Sequence, residues 1–323
     1  MKFFNKERLK RWWKIILATF MGFINDNGLK LSASLAYYTI FSIAPLLVLV
    51  LALIGLFLRD AQNRELLYVQ IQHFMGIQAS DQLKDIIRSY AMRAKSGTAL
   101  ISGGAILLIG ASSMFVEIQD SLNIIWRVKA KPKKSWLKLI QNRFLSFSLI
   151  ASLGFLLLVS LVINILVSAL SDKIQHFFPG ITIIIFIVNL AITFLVISVL
   201  FAIIFKVLPD VKISWKDVRS GSIFTALLFM LGQYLIGLYI QYFANSSAYG
   251  AAGSIIVILT WIYYTSAILY IGAEFTQVYA EAIGSRIEPA EYAVAVKQTE
   301  IEMEVSKLPA QNPDIKDNLK KPE

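Results

Sequence analysis

Six uncharged apolar runs constrain this chain more than anything else in it: residues 31–58, 98–116, 144–170, 181–205, 220–244 and 253–273. Each is long enough to cross about 30 Å of hydrocarbon, which takes roughly 20 residues of helix. A soluble domain carries about 25% charged residues so that polar surface can cover its core. This chain of 323 residues carries 16% charged against 57% apolar. It therefore reads as an all-α, polytopic membrane protein, a bundle of six transmembrane helices.

Charge placement orients the bundle. Of 31 Lys and Arg, 24 fall in the N-terminal segment, the loops after spans 2 and 4, and the C-terminal segment, against 7 in the alternate loops. By the positive-inside rule the first set is cytoplasmic, both termini included. The net charge of +10 is thus a topology signal. Anionic lipid headgroups at the cytoplasmic face, rather than nucleic acid, are the partners it implies. No cleavable leader is expected from the basic start, because the apolar stretch after it lacks a small-residue cleavage pattern.

Between these runs the chain falls into recognisable parts. Residues 1–30 combine clustered bases with Trp12 and Trp13 and an apolar stretch. That pattern suits a helix lying at the cytoplasmic interface, and equally one packed on the bundle. Residues 59–97 show helical apolar spacing and read as amphipathic helices on the extracytoplasmic side. In span 2, ten of the sixteen residues from Thr98 to Ser113 are Gly, Ala, Ser or Thr, which lets that helix approach its neighbours closely. Pro45 is expected to kink span 1 and open a groove, with Ser42 helping to satisfy the freed carbonyl. A short turn forces spans 5 and 6 to be antiparallel neighbours, with Gly250 and Gly253 as structural or gating positions. Residues 285–323 hold four of the eight prolines and mixed charge, and are expected to be a disordered cytoplasmic tail.

No catalytic apparatus is visible. There is no cysteine, and the two histidines, His73 and His176, are isolated, so neither a metal nor another cofactor is expected. No Gly-x-Ser-x-Gly, His-Glu-x-x-His or paired intramembrane acids occur. No charge falls in the middle of a span, which weighs against a midplane proton relay. The polar residues instead collect at the expected cytoplasmic interface: Asp26, Asp120, Asp210 and Glu274, with Glu117 beside them. Asp120, Asn123 and Arg127, spaced i, i+3, i+7, are expected to share a helical face. Acids at the ends of spans 2, 4 and 6 would oppose the helix dipoles, so Arg127 is expected to pair with Asp120, Asp210 or Glu274 around a polar cavity. The cluster is either a set of structural ion pairs and caps or a vestibule for a headgroup. Tyr37 is a further residue that could line such a cavity.

The order of motifs is similar to that of the YihY/BrkB family of bacterial inner-membrane proteins. The first is Asp26 followed by Leu35-Ala36-Tyr37-Tyr38-Thr39, Phe41-Ser42 and Ala44-Pro45-Leu46. Gln119-Asp120, Leu122-Asn123 and Trp126 follow, then Leu208-Pro209-Asp210 with Trp215. Ala248 to Gly253, Trp261 with Tyr263-Tyr264, and Gly272-Ala273-Glu274-Phe275 complete the resemblance over about residues 20–280. The chain departs from the family pattern in span 2, where Gly110-Ala111-Ser112-Ser113 replaces a frequent Trp-Ser pair; Glu117 is accordingly the weaker site residue. The resemblance implies six spans in the inner membrane. Members have carried the name ribonuclease BN, but the residues here lack the ligand cluster such chemistry needs, so no enzymatic activity is expected. Two functions stand open: a transporter or flippase-like protein for a lipid or other amphiphile, and a non-transporting envelope scaffold or assembly factor. A homo-oligomer is compatible with both.

Overall fold

The computed structural model describes residues 6–57, 97–131, 148, 182–243 and 250–297. The third apolar run apart from residue 148, the amphipathic segment before residue 97, and residues 298–323 lie outside them. Among the described residues there are helices α1 (Lys6–Asn25), α2 (Gly28–Phe57), α3 (Gly97–Ile125), α4 (Thr182–Val207), α5 (Trp215–Phe243) and α6 (Gly250–Ala282). Four short strands accompany them: β1 (Val128–Ala130), β2 (Val211–Lys212), β3 (Glu288–Pro289) and β4 (Ala293–Ala295).

The chain is mostly helical. Five of the six apolar runs fall on α2 to α6, although only Ile183–Val207 of α4, among the described residues, is by itself long and apolar enough to cross a membrane. That helix turns Ile183, Ile184, Phe186, Ile187 and Leu195 outward. A water-facing helix would not present such a surface; hydrocarbon is the solvent that suits it.

Helix α2 packs on α3 and α6, α4 on α5, and α5 on α6, while α1 lies against α6. The shared core is built from Phe115, Leu122 and Ile125 of α3, Phe205 of α4, Val218 of α5 and Tyr270 of α6. Trp12 stacks on Phe275 at 6.4 Å and meets Tyr279 at 6.1 Å, while Leu9, Trp13, Leu17, Met21 and Ile24 remain exposed.

Helices α5 and α6 interlock through small residues. A Cβ on Gly221 would lie 1.8 Å from Thr276 Oγ1, and one on Gly272 would lie 1.9 Å from Thr225 Oγ1. Further along, Gly232 faces the Tyr264 hydroxyl. The pairings 221 with 276, 225 with 272 and 232 with 264 run in opposite directions, so the two helices are antiparallel. Each threonine also bonds back to the glycine of its own helix, Thr225 to the Gly221 carbonyl and Thr276 to that of Gly272, both at 2.7 Å. With both threonine hydroxyls paired, the backbones approach as lipid-embedded helices do.

Helix α2 continues through Pro45. Ser42 pairs with Ser113 of α3 at 2.8 Å; the side chains around Pro45, where the groove was expected, lie outside the described residues. Gly250 opens α6 and Gly253 sits in its first turn.

The expected tail requires correction. Residues 285–297 are part of the fold: β4 pairs antiparallel with β1, and β3 with β2. Two or three residues of strand carry no compositional signal of their own, and their partners lie far away in sequence. The segments that charge assigned to one side of the membrane thus meet at one end of the bundle.

Candidate functional site

At that end two polar centres hold the elements together. The first surrounds Asp210, just past α4 and 3% exposed. Gln119 Nε2 donates to its Oδ1 at 3.1 Å and Asn123 Nδ2 to its Oδ2 at 2.9 Å. The Asp210 N–H returns a bond to Asn123 Oδ1 at 2.9 Å. The Tyr292 hydroxyl donates to Oδ1 at 3.1 Å, and the Asp210 carbonyl accepts from Ala290 N–H at 3.0 Å. Gln119 and Asn123 stand one helical turn apart on α3, so a single face presents both amides. A buried carboxylate is tolerated when its lone pairs are met in this way.

The second centre comprises Asp26, Arg127 and Glu274. Asp26 lies in the turn between α1 and α2, a turn completed by Asn27 in the left-handed region at φ 55°. Asparagine tolerates that conformation better than most residues. Arg127 follows the end of α3 and shares the same φ of 55°, which takes it off the helical path. Its Nη2 pairs with Asp26 Oδ1. The Arg127 side chain is 35% exposed and that of Asp26 3%, so the guanidinium reaches from a buried acid to open space.

Glu274 comes from α6, just beyond the apolar run 253–273. It is 2% exposed, and its Oε1 has no hydrogen-bond partner. The other oxygen occupies the space that a side chain at Gly22 would fill, 2.6 Å from the position of a Cβ there. Burial pushes the Glu274 carboxyl up to about 8, and the charge and hydrogen bond of Asp26 add to this, while Arg127 opposes it. Asp26 is also raised, by burial first, against the pull of Arg127 and Glu274. Two carboxyls facing one guanidinium are neutral when they hold one proton between them.

The structure separates residues that the sequence had grouped. Asp120, Asn123 and Arg127 do not share a face: Asn123 turns to Asp210, Arg127 leaves the helix for Asp26, and Asp120 is exposed. Arg127 pairs directly with Asp26, an acid outside the expected three, and acts on Glu274 through its charge. The dipole argument holds for Asp210 alone, since α3 runs to Ile125 and α6 to Ala282, past Asp120 and Glu274. Tyr37 is 60% exposed and forms an aromatic group with Tyr38 and Phe41, away from both centres. Gln119 and Tyr292 are functional-site neighbours that sequence reasoning missed. The i, i+4 spacing of Gln119 and Asn123 was a readable signal; Tyr292 lay in the segment taken for a disordered tail.

Between these parts opens a cleft of ≈ 480 Å³ lined by Trp126, Arg127, Gln277, Glu281 and Arg286 among others. Trp126 is fixed there by donating from Nε1 to the Ala273 carbonyl at 3.1 Å. Two arginines, one glutamate, a glutamine and an indole give the cleft charges of both signs, suited to a zwitterionic or anionic group with some apolar body. Among the described residues, no three of His, Asp or Glu gather as a metal site would require.

Outward-facing apolar helices with polar side chains knotted at one end define a helical membrane protein. The chain belongs to the BrkB family: residues 19–295 match the family described as virulence factor BrkB. It is similar to a UPF0761 membrane protein of Pseudomonas aeruginosa, 26% identical over 256 residues, which cover 78% of this chain and 59% of that relative. A UPF0761 membrane protein of Pseudoalteromonas translucida is 27% identical over 275 residues, covering 82% of this chain and 84% of its own length. One from Tolumonas auensis is 26% identical over 268 residues, 80% of this chain and 82% of that relative. The chain thus spans well under two thirds of the Pseudomonas relative. No solved structure matches it.

Proposed function

We propose that the protein is a six-span bundle of the bacterial inner membrane, with cytoplasmic termini, that moves a lipid or other amphiphile rather than catalysing a covalent reaction. One observation carries this reading. Arg127 spans from the buried acids Asp26 and Glu274 to a polar cleft that also presents Arg286. A headgroup phosphate entering the cleft meets two guanidiniums beside the acid Glu281, and Arg127 can exchange Asp26 for it if the acid pair takes up a proton. The substrate's acyl chains remain in lipid along the apolar helices. This couples headgroup binding to protonation without a charge at midspan, where it would be costly.

The test is transfer of fluorescent phospholipid between leaflets of proteoliposomes. Protein-dependent transfer that falls at least about tenfold in Arg127→Gln, with the variant still folded, is the expected result; the loss corresponds to one charge-assisted contact. Transfer equal to that of empty vesicles, across anionic and zwitterionic headgroups, overturns the reading in favour of the alternative, a non-transporting envelope scaffold or assembly factor.

A further inference from the structure

Away from that cleft, α4 and α5 leave a groove of ≈ 490 Å³ between them on the outward surface. Its length is apolar, with Phe194, Leu195, Val199 and Ala202 from α4 and Ile223 from α5. From residue 194 to 202 the stripe covers about 12 Å at 1.5 Å per residue, most of the ~15 Å depth of one hydrocarbon leaflet. The mouth of the groove is cationic. Lys216 and Arg219, three residues apart on the first turns of α5, both line it and both are exposed.

Their environment is asymmetric in charge. Neither side chain has an ion pair or hydrogen bond among the described residues. The acid between them in sequence, Asp217, points inward: 1% exposed, it accepts from Ser214 Oγ at 2.7 Å and from the Ser285 N–H at 3.2 Å. Among the described residues, no carboxylate lines the groove. Trp215, 63% exposed, stands at the same end with Lys206 Nζ 5.5 Å from its ring centre, the arrangement that marks the headgroup level of a membrane protein. The N-terminal end of α5 adds its own positive potential there.

We propose that this groove is a binding site for an anionic phospholipid, with the phosphate held between Lys216 and Arg219 and one acyl chain lying along Phe194, Leu195 and Val199. A net negative headgroup is favoured over a zwitterionic one, because an ammonium would be carried towards two cations with no acid to receive it. The site is separate from the Arg127 cleft and stands whether or not the protein moves lipid.

Native mass spectrometry of the full-length protein with phosphatidylglycerol and phosphatidylcholine of matched chains tests it. Phosphatidylglycerol should be retained about tenfold more strongly, the scale expected of one or two basic contacts to an anionic lipid. The double variant Lys216→Gln, Arg219→Gln should reduce that retention to the phosphatidylcholine level, and Val199→Trp should lower retention by filling the chain groove. Equal retention of both lipids by the wild type, meaning annular lipid only, overturns the proposal. So does undiminished retention by the double variant, or displacement of the lipid by millimolar inorganic phosphate.

Discussion

Asn123 and Asp210 exchange two hydrogen bonds, side-chain amide to carboxylate at 2.9 Å and backbone N–H to amide oxygen at 2.9 Å. The exchange ties the last turn of α3 to the end of α4. Asn123→Ala leaves a buried carboxylate oxygen and a backbone N–H without these partners. It should lower stability by roughly 2–3 kcal/mol, the cost of orphaning buried groups bonded to a charge. Asn123→Asp sets two carboxylates together and should cost more. Thermal unfolding in detergent, compared with an exposed control such as Glu7→Gln, measures both; equal behaviour of Asn123→Ala and the control would show that the exchange is dispensable.

The acid pair makes stability depend on pH. Glu274 holds its proton up to about 8 in the folded protein against 4.5 when unperturbed. Between these values the folded state binds more protons than the unfolded state, so stability declines as pH rises. The contribution is fully present below 4.5 and gone above about 8. Asp26, raised in the same direction, adds to the slope. Glu274→Gln, which imitates the protonated form, should flatten the melting temperature between pH 5 and 8. An unchanged slope in this variant would place the dependence elsewhere.

The α5–α6 interlock predicts a coupled pair. Gly272→Ala brings a methyl group to within 1.9 Å of Thr225 Oγ1 and 2.8 Å of its Cβ, closer than atoms approach, so the helices must separate. Overpacking of this kind costs about 1–3 kcal/mol. Thr225→Ala removes the nearest atom, and the double variant should therefore recover part of the loss. A double-mutant cycle reads the coupling; strict additivity would mean that the two positions do not touch.

Truncation separates the two halves of the C-terminal segment. Ending the chain after residue 297 preserves β3, β4 and Tyr292 and should leave the unfolding temperature near that of the full chain. Ending it after Arg286 strips β1 and β2 of their partners and Asp210 of the Tyr292 hydroxyl. That shorter chain should unfold several degrees lower, the shift expected of a loss of about 1–2 kcal/mol. Identical melting of the two truncations would return residues 288–295 to the status of a tail.

The sequence by itself determined the helical class, the positions of five of the apolar runs now seen as α2 to α6, and the gathering of basic segments at one end. Those properties follow from hydropathy, length and charge, which act locally and add along the chain. It also singled out Asp26, Asp120, Asn123, Arg127, Asp210 and Glu274 as residues of one polar belt. Only the tertiary structure decided how they divide, with Arg127 going to Asp26 beside Glu274, and Asn123 to Asp210 with Gln119 and Tyr292. The reason is geometric. A left-handed residue at 127 turns a predicted face aside, helices overrun their apolar stretches by a turn or more, and two-residue strands exist only because distant partners complete them. Pairing of that kind depends on where backbones lie relative to one another, and helical periodicity carries no record of it.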